Sequence, residues 1–181
     1  MIPTIPFIEF PKISRFNREV IVTEKLDGTN AQIYIDDNGE NVFAGSRTRW
    51  IQPGDDNFGF AKWVQENKEE LITLGPGSHF GEWWGLGIHR TYGLKEKRFS
   101  LFNVKRWADA GSRPSCCGVV PILWEGLLGD INCSGIMKSL ADNGSTAAPG
   151  FMKPEGIVVF HTHSGSLFKM TLDKNDAAKG V

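Results

Sequence analysis

Glu24-Lys25-Leu26-Asp27-Gly28-Thr29-Asn30 sits between two short runs of strand-forming residues, Val20-Ile21-Val22 before it and Ala31-Gln32-Ile33-Tyr34-Ile35 after it. β-branched and aromatic side chains dominate both runs, as in strands that pack one face inward. Read locally, Asp27-Gly28 is a hairpin corner and Lys25 a surface lysine. A K-x-D-G tetrad arises by chance in roughly one chain in twenty-five of this length, so the tetrad alone decides little. Its position says more. It follows one apolar strand and precedes another, which puts the lysine at the edge of a sheet. If strand alternation persists, Lys25 and Asp27 share a face and Glu24 points away.

Working outward, Asp36-Asp37-Asn38-Gly39 is a strong turn signal, and 41–44 reads as the returning strand. The stretch 58–71 is the best helix, with Phe60, Ala61, Val64 and Leu71 near one stripe. Further strands are expected at 79–84, 98–104, 119–123, 157–161 and 167–171, with a short helix at 131–142. Asn143 to Pro149 reads as a flexible loop. Many strands, few helices and no clear linker predict one α+β domain over 1–181, built on antiparallel sheets with flanking helices and lacking a C-terminal OB-fold or helical domain.

Bulk properties narrow the class. The chain has 181 residues, 40% hydrophobic and 23% charged, an ordinary composition for a soluble globular protein. No stretch is long and apolar enough to span a membrane, and the N-terminus lacks a signal-peptide pattern. Three cysteines, two of them adjacent (Cys116, Cys117), make no disulfide framework; a reducing, cytoplasmic setting is expected. A net charge of −1 argues against broad non-specific nucleic-acid binding. Local basic clusters remain at Arg47/Arg49, His89/Arg90, Lys95/Lys97/Arg98 and Lys105/Arg106. Solvated surface charge is the plainer reading of the middle cluster.

Lysine attacks phosphorus only as the neutral amine, and an ordinary lysine is almost wholly protonated near neutral pH. Burial, a second cation or a nearby metal must shift that balance. The chain downstream of Lys25 supplies candidates. Glu82 lies in the aromatic run His79-Phe80-Gly81-Glu82-Trp83-Trp84. Glu155 precedes the apolar run Gly156-Ile157-Val158-Val159, and Lys169 stands inside Phe168-Lys169-Met170-Thr171. A lone charge is rarely buried in such settings without a partner. Each alone also fits a rim residue with its head in water; three in this order after K-x-D-G are harder to dismiss.

Taken together, these segments resemble the covalent nucleotidyltransferases, which include polynucleotide ligases and mRNA capping enzymes. The resemblance runs from Lys25 to Thr171. Motif I is similar to Lys25-Leu26-Asp27-Gly28, and motif Ia to Gly45-Ser46-Arg47, with Arg49 as a rival for the arginine. Motif III resembles Phe80-Gly81-Glu82, motif IIIa Phe99 to Val104, motif IV Glu155-Gly156-Ile157-Val158, and motif V Phe168-Lys169. Thr29-Asn30 after motif I is similar to ATP-dependent RNA ligases of the RNA ligase 2 type, whereas DNA ligases and capping enzymes usually place an arginine two residues after the glycine.

The resemblance implies that Lys25 takes AMP from ATP as a covalent lysyl adduct, that the AMP passes to a 5′-phosphate, and that a 3′-hydroxyl then displaces it. It implies a nucleotide-binding set of Glu24, Asp27, Gly28, Asn30, Arg47, Glu82, Phe102 and Lys169. Within it, Phe102 would stack on adenine, Glu82 would accept from a ribose hydroxyl, Lys169 would hold the α-phosphate, and Arg47 would contact phosphate or ribose. Glu155 would be the ligand for Mg²⁺ or Mn²⁺. RNA, as a nicked duplex or hybrid, is the implied partner, and a protein partner would supply the missing C-terminal domain. A DNA or hybrid-nick ligase and a catalytically weakened nucleic-acid binder are the alternatives. NAD is not the expected donor, because only 24 residues precede Lys25. One departure stands out: Thr171 occupies the place of motif V's second lysine, so either one phosphate contact is missing or Lys174 substitutes from a loop.

His161, His163 and Cys133 lack zinc-ligand spacing and read as structural. Of the six tryptophans, most read as core, with one or two free to stack on bases.

Overall fold

In the computed structural model, residues 5–173 are described. Strand β1 (Glu19–Lys25) and strand β2 (Thr29–Ile35) belong to different sheets, so the stretch between them is not a hairpin corner. The chain crosses from one sheet to the other at Leu26-Asp27-Gly28. The reason lies in Gly28: a Cβ there would stand 2.4 Å from the Trp83 carbonyl oxygen and 2.7 Å from Trp84 Cβ. Only a glycine lets the crossing backbone lie this close to the neighbouring strand.

Beyond β2 come β3 (Val42–Gly45), β4 (Trp50–Ile51), helix α1 (Phe60–Glu66), helix α2 (Lys68–Leu71), β5 (Gly77–Gly85) and β6 (Lys97–Leu101). Helix α3 (Val104–Trp107), β7 (Cys117–Val119), β8 (Ile122–Leu127), helix α4 (Cys133–Asn143), β9 (Gly156–His161) and β10 (Ser166–Thr171) complete the described chain. A six-stranded sheet runs β4-β3-β2-β5-β6-β7, and a four-stranded sheet runs β10-β9-β1-β8. All pairings are antiparallel except β6 with β7. This is the expected α+β architecture.

One face of the six-stranded sheet (Ala31, Ile33, Ile35, Ala44, Trp83, Phe99, Leu101) packs on α1 and α2 through Phe60, Ala61, Val64 and Leu71. Phe60, Trp63, Trp83 and Phe99 form a ring cluster with centroids 5.2–5.8 Å apart, each pair adding about 0.5–1.5 kcal/mol beyond area burial. On the four-stranded sheet, Val20, Val22, Ile157 and Val159 pack on Met137 and Leu140 of α4. The remaining faces meet through Ile21, Leu26, Trp84, Tyr92, Val104 and Val120.

Several boundaries differ from the sequence reading. The helix expected over 58–71 starts at Phe60, because Phe58 and Gly59 take left-handed backbone and the Asp56 carboxylate accepts from the N–H groups of Ala61 and Lys62. It breaks at Asn67, whose side chain takes the Trp63 carbonyl. The strand expected over 98–104 stops at Leu101; Asn103 then caps α3 by accepting from Arg106 N–H. The strand expected over 119–123 is two strands, β7 and β8, divided at Val120-Pro121 where the chain changes sheet a second time. Periodicity could not show that division, since both halves are apolar. The two-residue β4 gave no sequence signal. Among the described residues, no helix is long and apolar enough to cross a membrane.

Candidate active site

β1 ends at Lys25, so the lysine is delivered to the lip of the four-stranded sheet where that sheet meets the other. Its Nζ donates to Glu155 Oε2 at 2.6 Å, with the two side chains 23% and 16% exposed. Lys25 pairs with Gly156 of β9, and Gly156 with Thr171 of β10. Thr171 therefore stands in Lys25's own cross-strand row. Lys169 is two residues further along β10, opposite Val158, which in turn faces Thr23. Lysine 169 thus shares Lys25's face, at a Cα separation of roughly 12 Å from ordinary strand spacing and rise. It is exposed. Lys174 lies outside the described residues.

Glu82 comes from the other sheet. β5 pairs with β2 so that Glu82 faces Asn30 and, across β6, Ser100. Gly28 N–H donates to Glu82 Oε1 at 3.0 Å and Asn30 Nδ2 to Oε2 at 3.2 Å. Gly28 and Asn30 thus hold the carboxylate of Glu82, while an ionised carboxylate with about four acceptor sites keeps capacity for one more donor. Burial pushes its pKa up to about 7, against the opposing pull of the Lys25 charge. A carboxyl raised in the folded state stabilises the fold fully below its unfolded value, and that contribution is lost as pH rises through about 7. Glu82→Gln should therefore gain stability on wild type as pH climbs from about 4.5 to about 7 and hold a constant advantage above. Thermal melts of both proteins across that range check it; parallel curves would contradict it.

Asp27 is not free to face solvent beside Lys25. Arg90 Nε donates to its Oδ2 at 2.8 Å, His89 Nδ1 stands 3.3 Å from Oδ1, and its N–H donates to the Tyr92 hydroxyl at 2.7 Å. Arg90 also bonds Asp173 and the Lys153 carbonyl. The three partners of Asp27, His89, Arg90 and Tyr92, all come from the β5–β6 loop, where His89, Thr91 and Tyr92 adopt positive φ. Tyr92 packs edge-on against Trp84 and beside Phe151, and burial pushes its hydroxyl pKa up. The sequence reading missed this clasp. Its only trace was the His89/Arg90 pair in a glycine-rich loop.

Glu24 points away from Lys25, as alternation requires, and is 1% exposed. Its carboxylate accepts from Ser145 Oγ (2.6 Å), Thr146 N (2.8 Å) and Ala147 N (2.9 Å). The Glu24 carboxylate is thus engaged by protein donors, which leaves its backbone as the part that a nucleotide could meet. Those bonds correct the expectation of a flexible loop: 143–149 is held, with Ser145 and Ala148 buried.

Phe102 directly follows β6, its N–H donating to the Phe80 carbonyl at 2.9 Å, and its ring is 40% exposed. Of the two rival arginines, Arg49 is engaged by both oxygens of Asp55 at 2.5 and 2.8 Å. Arg47 is exposed on the β3–β4 loop, and no described residue pairs with its side chain. Among the described residues no group of three or more His, Cys, Asp or Glu side chains is placed to hold a metal ion. Glu155 offers a single carboxylate. That fits an ion of the Mg²⁺ class, which commonly binds through one or two carboxylates and completes its shell with substrate phosphates and water.

Comparison with known proteins identifies the fold and the family. A mutant of Naegleria gruberi RNA ligase with ATP and Mn superposes with a TM-score of 0.63 at 22% identity, covering 87% of this chain and 51% of that one. The same organism's RNA ligase with PPi gives 0.60 at 25%, covering 84% and 49%. A further mutant with AMP and Mn gives 0.61 at 23%, covering 86% and 50%. The chain spans about half the length of these solved structures. No curated protein matches it. The RNA ligase family model matches residues 18–171, from the start of β1 to the end of β10. The chain belongs to the RNA ligase family.

Proposed function

We propose that the chain is the adenylyltransferase domain of an ATP-dependent RNA ligase, with Lys25 as its nucleophile. The observation that carries this reading is the meeting of Lys25 and Glu155 from one sheet with Glu82 from the other, at the point where the K-x-D-G stretch crosses between them. Lys25 Nζ attacks the α-phosphorus of ATP; an N–P bond forms, the bond to the bridging oxygen breaks, and pyrophosphate leaves with the electron pair. The amine must shed a proton, and Glu155 at 2.6 Å is placed to receive it. Phe102 offers its exposed face to adenine. Glu82 takes a ribose hydroxyl with its remaining acceptor capacity. Lys169, on Lys25's face, holds the α-phosphate. A divalent ion at Glu155, when bound, would neutralise phosphate charge.

A 5′-phosphate oxygen then attacks the same phosphorus and returns the amine. A 3′-hydroxyl next attacks the 5′-phosphorus, forming the phosphodiester and releasing AMP. Neighbours solved with ATP, AMP and Mn support the choice of nucleotide and of a divalent metal, and Thr29-Asn30 after the lysine supports RNA. Arg47 is the arginine left to contact phosphate or ribose. A protein partner is proposed to assist end-joining, and the cytoplasm is the proposed compartment.

The test offers the adenylylated protein nicked RNA, an RNA–DNA hybrid nick and nicked DNA. Faster sealing of a nick whose 3′-hydroxyl strand is RNA is expected. Equal or better sealing of nicked DNA would overturn the RNA assignment while leaving Lys25's role intact.

A further inference from the structure

The face of the six-stranded sheet that carries Glu82 does not end at the nucleotide cleft. Pairing registers place Trp50 opposite Gly45, Gly45 opposite Gln32 and Gln32 opposite Phe80, and Phe102 bonds back to Phe80. One cross-strand row therefore runs from Phe102 to Trp50, four strand spacings or about 19 Å. Tyr34 and Phe43 face one another one row further along the same face. The rings of Tyr34, Phe43 and Trp50 lie 6.0–6.4 Å apart.

Phe43, Trp50 and Phe80 are presented outward, and Tyr34 is half-buried beside them. Phe43 is 48% exposed, Trp50 57% and Phe80 56%. Trp50 is the one tryptophan of the chain's six that is largely exposed. It lies down on the sheet instead of standing off it, because Gly45 beneath has no side chain: a Cβ there would meet the indole ring at 3.2 Å. Arg47 extends from the loop joining the two strands that carry Phe43 and Trp50.

We propose that Tyr34, Phe43 and Trp50 form a stacking platform for unpaired bases of a single-stranded RNA segment whose end occupies the nucleotide cleft, with Arg47 on its phosphates. The proposal rests on the ligase reading above. Two features favour RNA over a protein occupant: the row is continuous with the side that carries Glu82 and Phe102, and a cation with no side-chain partner among the described residues flanks the rings. Aromatic faces take any base, so the platform is tolerant of sequence and makes its contribution through strand length.

The test measures binding of a fluorescent single-stranded RNA decamer and of a 5′-phosphorylated dinucleotide by wild type, Trp50→Ala, Phe43→Ala and Trp50→Tyr, with thermal melts confirming that each is folded. Trp50→Ala should weaken the decamer about tenfold, Phe43→Ala should act in the same direction, and Trp50→Tyr should restore most of the affinity. The dinucleotide, too short to span the row, should bind all four alike. Unchanged decamer affinity in folded Trp50→Ala and Phe43→Ala would overturn the platform. So would a wild-type oligomer that dissociates in Trp50→Ala while RNA affinity stays constant, which would make the patch a protein interface. Self-adenylylation of the wild type is measured alongside: its absence together with Trp50-dependent decamer binding would unseat the catalytic reading and keep the platform.

Discussion

Replacing Lys25 by alanine is expected to reduce covalent labelling by α-labelled ATP to background, while the protein still folds and melts cooperatively at a somewhat lower temperature than wild type. The chemical half follows from the absence of a substitute among the described residues. Lys169 shares the face but stands roughly 12 Å away by strand geometry, too far to replace an amine that must be in line with a departing pyrophosphate. The structural half follows from the setting. Lys25 and its ion-pair partner Glu155 are only 23% and 16% exposed, so removing the lysine leaves a largely buried carboxylate unpaired and destabilises the site without undoing the cores. Gel labelling and a melt curve check the two halves separately. Labelling that survives the substitution would remove Lys25 from the mechanism.

Glu24→Ala, one residue earlier, should have the opposite profile. Its carboxylate is 1% exposed and satisfies three donors from Ser145, Thr146 and Ala147. Deleting it strands those donors beneath α4's C-terminal loop and opens a void at the end of β1. Buried donors left without partners cost about 1–3 kcal/mol each, so a loss on the order of 3–5 kcal/mol is expected. For a domain of this size that lowers the melting temperature by about 10 °C or more. Glu24→Gln, which keeps an acceptor, should recover part of it. Chemical denaturation with an unchanged midpoint for Glu24→Ala would show that the 143–149 loop is not held by these bonds. Adjacent residues of one strand thus divide the work: Lys25 faces the cleft, and Glu24 ties the strand's end to the body.

That division also shows what could be read from residues alone. Alternation along 20–25 was enough to turn Glu24 from Lys25, because a strand has a period of two regardless of its sheet. The order of Lys25, Glu82, Phe102, Glu155 and Lys169 carried the family resemblance, and four-fifths of the strands were visible as apolar runs. What stayed hidden depended on partners distant in sequence. Asp27-Gly28 carries a hairpin signature, yet Gly28 is there because β5 passes 2.4 Å from where a Cβ would be. Nothing near position 28 announces Trp83. Likewise Arg90 and Tyr92 look like loop residues until the fold lays them on Asp27. The 143–149 segment has a loop's composition, and only the buried carboxylate of Glu24 makes it ordered. Val120-Pro121 was hidden for another reason: a sheet change inside a continuous apolar run leaves the hydrophobic pattern unbroken.

The meeting of the two sheets at Lys25 makes a single demand on chemistry: the AMP must be attached to that nitrogen and to no other. Wild-type protein incubated with ATP and Mn²⁺ can be digested and its peptides mapped by tandem mass spectrometry, with acid avoided because a phosphoramidate bond is acid-labile. One adenylyl group is expected, carried by the peptide containing Glu24-Lys25-Leu26-Asp27-Gly28 and localised to Lys25. An adduct on Lys169 or any other residue, or an unmodified Lys25 in protein that has released pyrophosphate, would contradict it.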